Sequence, residues 1–197
     1  MGSSDSDLPL STEARHVLLA LARSTIEDRL RGHSLEPPSI SSLPCRRELE
    51  DPRGAFVTLK INGVLRGCIG HVVAVAPLWL AVRDNALAAA FEDPRFPELA
   101  GEELPKITIE ISALTPMRPA GADDVQVGRH GILIERGRAR GLLLPQVATE
   151  YGWDRETFLD HTCRKAGLEN GCWRHPETRV SVFAAEVFGE KDGSAPG

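Results

Sequence analysis

No stretch of this chain approaches the ~20 consecutive apolar residues that a membrane-spanning helix needs, and no Cys-x-x-Cys pair interrupts its 197 residues. The first absence argues against a membrane protein. The second, in a chain whose cysteines are Cys45, Cys68, Cys163 and Cys172, argues against a zinc ribbon and against a disulfide-dense secreted scaffold. Nothing resembles a secretory leader, so a reducing cytoplasm is the expected setting. An excess of positive charge is also missing. The net charge of −5 supplies no global field to draw in nucleic acid or an anionic membrane. The phosphate-binding G-x-x-x-x-G-K-[ST], the dinucleotide fingerprint and H-E-x-x-H are all absent, so no cofactor is expected. Cys172 and His175, with His161 and Cys163 upstream, have ligand-like spacing, but nothing completes a tetrahedral set and no metal is expected.

What is present can bury a core: 42% of the residues are hydrophobic, enough for one domain or a larger lobe with a smaller one. Ser11 or Thr12 caps a helix whose apolar positions, from Ala14 to Leu30, recur at helical spacing until Gly32 stops it. Residues 33–53, with Pro37, Pro38 and Pro44, read as an extended connection that leaves Cys45 in a solvated loop. Pro77 opens a helix with Leu78, Val82, Ala86, Ala89 and Ala90 inward, and Asp93-Pro94 ends it. Ile107, Ile109 and Ile111 alternate with Thr108, Glu110 and Ser112, as in a strand over 106–114 with one face buried. After a loose region, 115–131, comes a second hairpin, Ile132–Ile134 and Gly141–Leu144, with Arg136, Arg138 and Arg140 around its tip. Pro145-Gln146 launches a short helix through Tyr151, Asp154 caps another that Gly167 ends, and a last strand covers 180–188. The ends, 1–9 and 190–197, read as disordered tails; Met1 to Ser6 formally fits a myristoylation pattern, which a Ser/Asp-rich tail explains more simply. Sequential hairpins with interspersed helices predict an α+β fold with a mainly antiparallel sheet.

The most informative stretch is Leu65-Arg66-Gly67-Cys68-Ile69-Gly70. It follows an alternating run, 55–61, across Asn62-Gly63, so the two runs, 55–61 and 64–69, predict a hairpin closed by a type I′ turn. Regular pairing sets Leu59 against Arg66 and Val57 against Cys68, and puts Arg66 and Cys68 on one face about 7 Å apart. A guanidinium there would favour the Cys68 thiolate, and Gly67 and Gly70 would leave room for a substrate or another backbone. The bland alternative is a small buried hydrophobe, since a lone cysteine in an apolar strand usually is one. His130, between flexible residues, is a candidate base or ligand, against a hydrogen-bonded loop histidine. Glu110 becomes a candidate carboxylate only if the second face of its strand lines a cavity. Arg95 is explained equally by a ligand and by a turn clamped by an ion pair. The bare GxxG at Gly67–Gly70 is too weak to indicate a nucleic-acid clamp, and no nucleic-acid or membrane partner is expected.

The hexapeptide, together with Arg83-Asp84-Asn85-Ala86, Phe91 to Phe96, Ile109 to Ser112 and Gly141 to Gln146, resembles the AMMECR domain family, whose bacterial and archaeal members are also called AmmeMemoRadiSam system protein A. The resemblance spans most of the chain, taken here as 10–189. It implies an α+β fold with a second, smaller lobe, drawn in part from 33–53 and 115–131, and a cleft between the lobes. The family's activity is unsettled. Its gene neighbourhoods imply a shared pathway with Memo-like and radical SAM proteins as partners. It also directs attention to Arg83, Asn85, Arg95 and Gln146 as ligand-facing groups. Two functions of different class follow: thiol chemistry or a modification-accessory role with Cys68 as the reactive group, Arg66 beside it and His130 or Glu110 handling protons; or a protein-binding module in which the hexapeptide is structural.

Overall fold

Ser11 opens the first helix in the computed structural model, which describes residues 9–34 and 40–190. Its hydroxyl accepts from the Ala14 N–H at 3.2 Å. Helix α1 then runs Thr12–Arg31, and Gly32 ends it at φ 71°, a left-handed conformation that costs glycine nothing. The myristoylation pattern at Met1–Ser6, the Pro37-Pro38 pair and the tail beyond Glu190 lie outside the described residues. No helix among the described residues is long and apolar enough to cross a membrane.

The chain divides into two units, one formed by residues up to Leu114 and from Glu186 onward, the other by Thr115–Ala185. In the first unit α1 is followed by α2 (Arg46–Glu50), β1 (Ala55–Ile61), β2 (Val64–His71), α3 (Leu78–Phe91) and β3 (Ile107–Leu114). A 3₁₀ segment, Gly101–Lys106, leads into β3. The strands lie in the order β2-β1-β3, and the end of β7 (Arg179–Gly189) adds to β3. Val57, Leu59, Ile109 and Ile111 point to one face and pack with Leu18, Ile26, Val82 and Ala86 of α1 and α3. The expected alternation of β3 therefore holds, and its isoleucines supply much of the buried apolar area.

The second unit contains β4 (Arg118–Pro119), β5 (His130–Arg136), β6 (Ala139–Leu143), α4 (Pro145–Glu150), α5 (Arg155–Lys165) and residues 179–185 of β7. Strand β5 pairs antiparallel with both β6 and β7. Ile132, Ile134 and Val182 pack against Phe158 and Leu159 of α5, whose N-cap is Asp154, accepting from the Thr157 N–H at 2.8 Å. The fold is α+β with an antiparallel sheet, as the hairpin pattern predicts.

Two local expectations need correcting. Cys45 is 3% exposed, not part of a solvated loop: α2 folds over residues 46–50 and turns it inward, and burial pushes its thiol pKa up. Cys163 and Cys172 are joined in a disulfide, which ties α5 to the short 3₁₀ turn Cys172–Arg174; the cysteines weighed as weak metal ligands are bonded to each other. Residues 40–53 fall in the first unit and 115–131 open the second.

Candidate functional site

The Asn62-Gly63 turn forms as the sequence predicts, with φ of 52° and 81°, both positive as a type I′ turn requires. The register beyond it differs. Ile61 pairs with Val64 and Lys60 with Leu65, but Leu59 pairs with Gly67 and Thr58 with Cys68. Arg66 is the extra residue of a bulge, and every later side chain of β2 is moved by one partner. Cys68 therefore leaves the company of Val57 and Leu59 and shares the half-buried outer face with Thr58 and Glu110, which pair directly across β1 and β3. The Thr58 hydroxyl donates to Cys68 Sγ at 3.3 Å, and Lys60 Nζ donates to Glu110 at 2.9 Å.

The bulge also decides what Arg66 does. Its guanidinium grips Glu103 through two hydrogen bonds of 2.8 Å and donates to the carbonyls of Pro97 at 3.0 Å and Glu98 at 3.3 Å. Glu103 also accepts from the Ala100 N–H at 2.9 Å. The Arg66 side chain and then this N–H hold the Glu103 carboxyl down to about 2. The cation expected to serve Cys68 is thus committed to fastening residues 97–103.

A different arginine reaches Cys68. Because β2 is the edge strand, the backbone N–H and C=O of Cys68 point off the sheet, where an unpaired strand invites another. The Cys68 N–H donates to Asp93 at 2.8 Å, and Arg95 donates to the Cys68 carbonyl at 3.1 Å. Asp93 and Arg95 also pair with each other at 2.7 Å. Together they occupy the positions a neighbouring strand would fill. The Arg95 side chain, followed by the N–H groups of Cys68 and Arg95, holds the Asp93 carboxyl well below the usual carboxylate range, against the opposing effect of burial.

The glycines of the hexapeptide pack against backbone. A Cβ on Gly67 would lie 2.1 Å from the Ala89 carbonyl of α3, and one on Gly70 would lie 2.4 Å from both the Ala55 carbonyl and the Phe56 ring. Of the two occupants expected beside these glycines, a substrate or another backbone, it is the protein's own backbone that lies there. On α3, Arg83 pairs with Asp84 at 2.9 Å and lies over the Trp79 ring, whereas Asn85 is buried. The Asn85 Nδ2 donates to the Ala55 carbonyl at 3.0 Å, and its Oδ1 faces His71 Nδ1 at 3.1 Å.

Cys68, Arg66, Glu110, Arg83, Asn85 and Arg95 belong to the first unit, while His130 and Gln146 belong to the second. His130 is the buried first residue of β5. Its Nδ1 accepts from the Gln126 N–H at 3.2 Å. Burial, then Arg118 and Arg129, lowers its pKa. Gln146 is exposed in the first turn of α4. Thr58, Glu103, Arg53 and His71 were not singled out in the sequence. Asp93 was read there as a helix stop, and the ion pair weighed as one explanation of Arg95 is the one it makes with Asp93.

Fold and site together define an α+β protein whose edge strand is closed by an acid–arginine pair from a following turn. The chain matches the AMMECR1 family model over residues 19–188 and belongs to that family. It is 47% identical over 190 residues to a protein of Methanothermobacter thermautotrophicus, covering 92% of this chain and 97% of that one. It is 42% identical over 181 residues to Protein NEQ441 of Nanoarchaeum equitans, covering 88% and 98%. The crystal structure of the uncharacterized protein PH0010 from Pyrococcus horikoshii is similar with a TM-score of 0.70 at 42% identity, over 89% of this chain and 90% of that chain.

Proposed function

We propose that this AMMECR1-family chain is a non-catalytic binding module in which Leu65–Gly70 is the structural kernel. A Memo-like or radical SAM protein is the partner class that the family's resemblance implies. One observation carries this reading: the polar groups of the hexapeptide are used up within its own unit. Arg66 serves Glu103 and two carbonyls, and the Cys68 backbone serves Asp93 and Arg95. Four hydrogen bonds from one guanidinium are worth most when they fix a segment, here residues 97–103.

The competing reading makes Cys68 a reactive thiol in a modification-accessory role. It draws support from Cys68 itself, a free cysteine only partly buried whose Sγ accepts from the Thr58 hydroxyl. Alkylation of the native protein by iodoacetamide, followed per cysteine by mass spectrometry, separates the two. The binding reading expects Cys68 to react no faster than it does in the urea-unfolded chain, and expects Cys68→Ser to capture a Memo-like protein as well as wild type does. A native Cys68 rate about tenfold above the unfolded control would overturn it in favour of thiol chemistry.

A further inference from the structure

A pocket of about 130 Å³ lies in the first unit, on the opposite side of β2 from Cys68, where the end of β2 meets α3 and the 72–77 segment. That is room for roughly four water-sized volumes. Its polar wall holds Arg53, His71 and Asn85, and its apolar wall includes Val73 and Val75. The Arg53 side chain is 2% exposed. Its Nε donates to Asp51 at 3.0 Å, but its two terminal nitrogens have no acceptor among the described residues. An anion entering the pocket would meet them in the planar, two-pronged geometry that arginine offers a carboxylate.

The other polar groups narrow the ligand. Because Asn85 Nδ2 donates to the Ala55 carbonyl, its Oδ1 is the acceptor toward His71, and His71 Nδ1 donates to it. The imidazole is thereby fixed in the pocket wall, and Arg53 is left as the group that meets a ligand's charge. Asp84 also lines the pocket, but Arg83 pairs with it at 2.9 Å, which limits its opposition to an anion. Val73 and Val75 are 50% and 80% exposed, an apolar surface larger than a bare inorganic anion would use.

We infer that this pocket binds a carboxylate carried next to a short aliphatic group, with Arg53 as the anion's partner and Val73 and Val75 against the aliphatic part. A small branched acid and the terminus of a partner chain ending in valine present the same chemistry. The inference deepens the binding reading by naming what is bound. It does not depend on the behaviour of Cys68, so alkylation kinetics and ligand binding fail separately.

The test is titration of the ¹⁵N-labelled full chain with isobutyrate, with isobutyramide and with acetyl-Gly-Gly-Val as free acid and as amide. The expected result is saturable shifts at Ala55, Ala76 and Ala81 with a free acid and none with the amides. Response to the peptide acid alone assigns the site to a partner's terminus, and response to both acids assigns it to a small acid. Arg53→Gln should weaken binding about tenfold or more. Should that variant fail to fold, Val75→Glu, at a position exposed enough to leave the core alone, should weaken it too by repulsion. No saturable shift with either acid, equal response to an amide, or unchanged affinity in Arg53→Gln or Val75→Glu would overturn the assignment.

Discussion

The hairpins β1–β2 and β5–β6 carry the same dipeptide in their second strands, Arg66-Gly67 in one and Arg140-Gly141 in the other. In both, the glycine abuts a helix. A Cβ on Gly67 would lie 2.1 Å from the Ala89 carbonyl of α3, and one on Gly141 would lie 2.3 Å from the Ala166 nitrogen and 2.6 Å from the Thr162 carbonyl at the end of α5. The glycine is thus a packing requirement of a strand that runs beneath a helix backbone. What distinguishes the first hairpin is its arginine and its edge. Arg140 pairs across the strands with Glu135 in regular register, whereas the bulge frees Arg66 to hold Glu103. The β5–β6 hairpin shows no counterpart of the Asp93–Arg95 closure among the described residues.

The largest effects should fall on what the hairpins share. Gly67→Ala and Gly141→Ala should each cost about 3 kcal/mol or more, because the added methyl meets backbone that cannot step aside. Denaturant unfolding measures this. A severe Gly141→Ala with a mild Gly67→Ala would break the parallel and return Gly67 to the role of making room for a ligand. Next comes Asp93→Ala, which strips acceptors from the N–H groups of Cys68 and Arg95 and should cost about 2 kcal/mol. It also uncovers the edge of β2, so concentration-dependent self-association by light scattering should accompany the loss.

Arg66→Ala should cost about 1–2 kcal/mol, since it removes a bidentate, partly buried pair and leaves two carbonyls without their donor. Its pH dependence is diagnostic. Glu103 is lowered from its ordinary 4.5 to about 2 in the folded state. A depressed carboxyl stabilises the fold fully above its unfolded value, and that contribution fades as the pH falls from about 4.5 toward 2. Acid titration of stability in Arg66→Ala should therefore be flatter than wild type over that window. An identical acid slope would show that Glu103 gains nothing from Arg66.

Much of this was legible locally. Asn62-Gly63 dictates a turn, Ser11 and Asp154 cap helices, and the isoleucines of β3 declare their face, because each depends on neighbours a few residues away. The bulge was not legible: the usual signal is a glycine at the extra position, and here the extra residue is an arginine. Misreading that single residue reversed the face of Cys68 and gave it the wrong arginine. Arg66 and Glu103 are 37 residues apart, and Cys68 and Asp93 are 25 apart, so no periodicity connects them. Cys45 was misjudged because prolines mark a connection without showing whether it is covered. His71 lies beyond the run 64–69, where nothing local marks it, and α3 sets Asn85 against it.

The smallest effect sharpens the comparison most. Arg140 and Glu135 pair at 3.3 Å with side chains 53% and 36% exposed, so water and salt screen the attraction and the long side chains give up entropy to form it. Arg140→Ala should therefore change unfolding free energy by less than about 0.5 kcal/mol, beside the larger loss in Arg66→Ala. Two arginines in the same dipeptide, in equivalent strands, would then differ because one lies in register beside water and the other is thrown out by a bulge onto a carboxylate and two carbonyls. Equal costs for the two variants would mean that the Arg-Gly dipeptide itself, through its backbone or its arginine stem over the sheet, carries the stability. In that event the contacts of Arg66 to Glu103 and the two carbonyls would add little to the stability of residues 97–103.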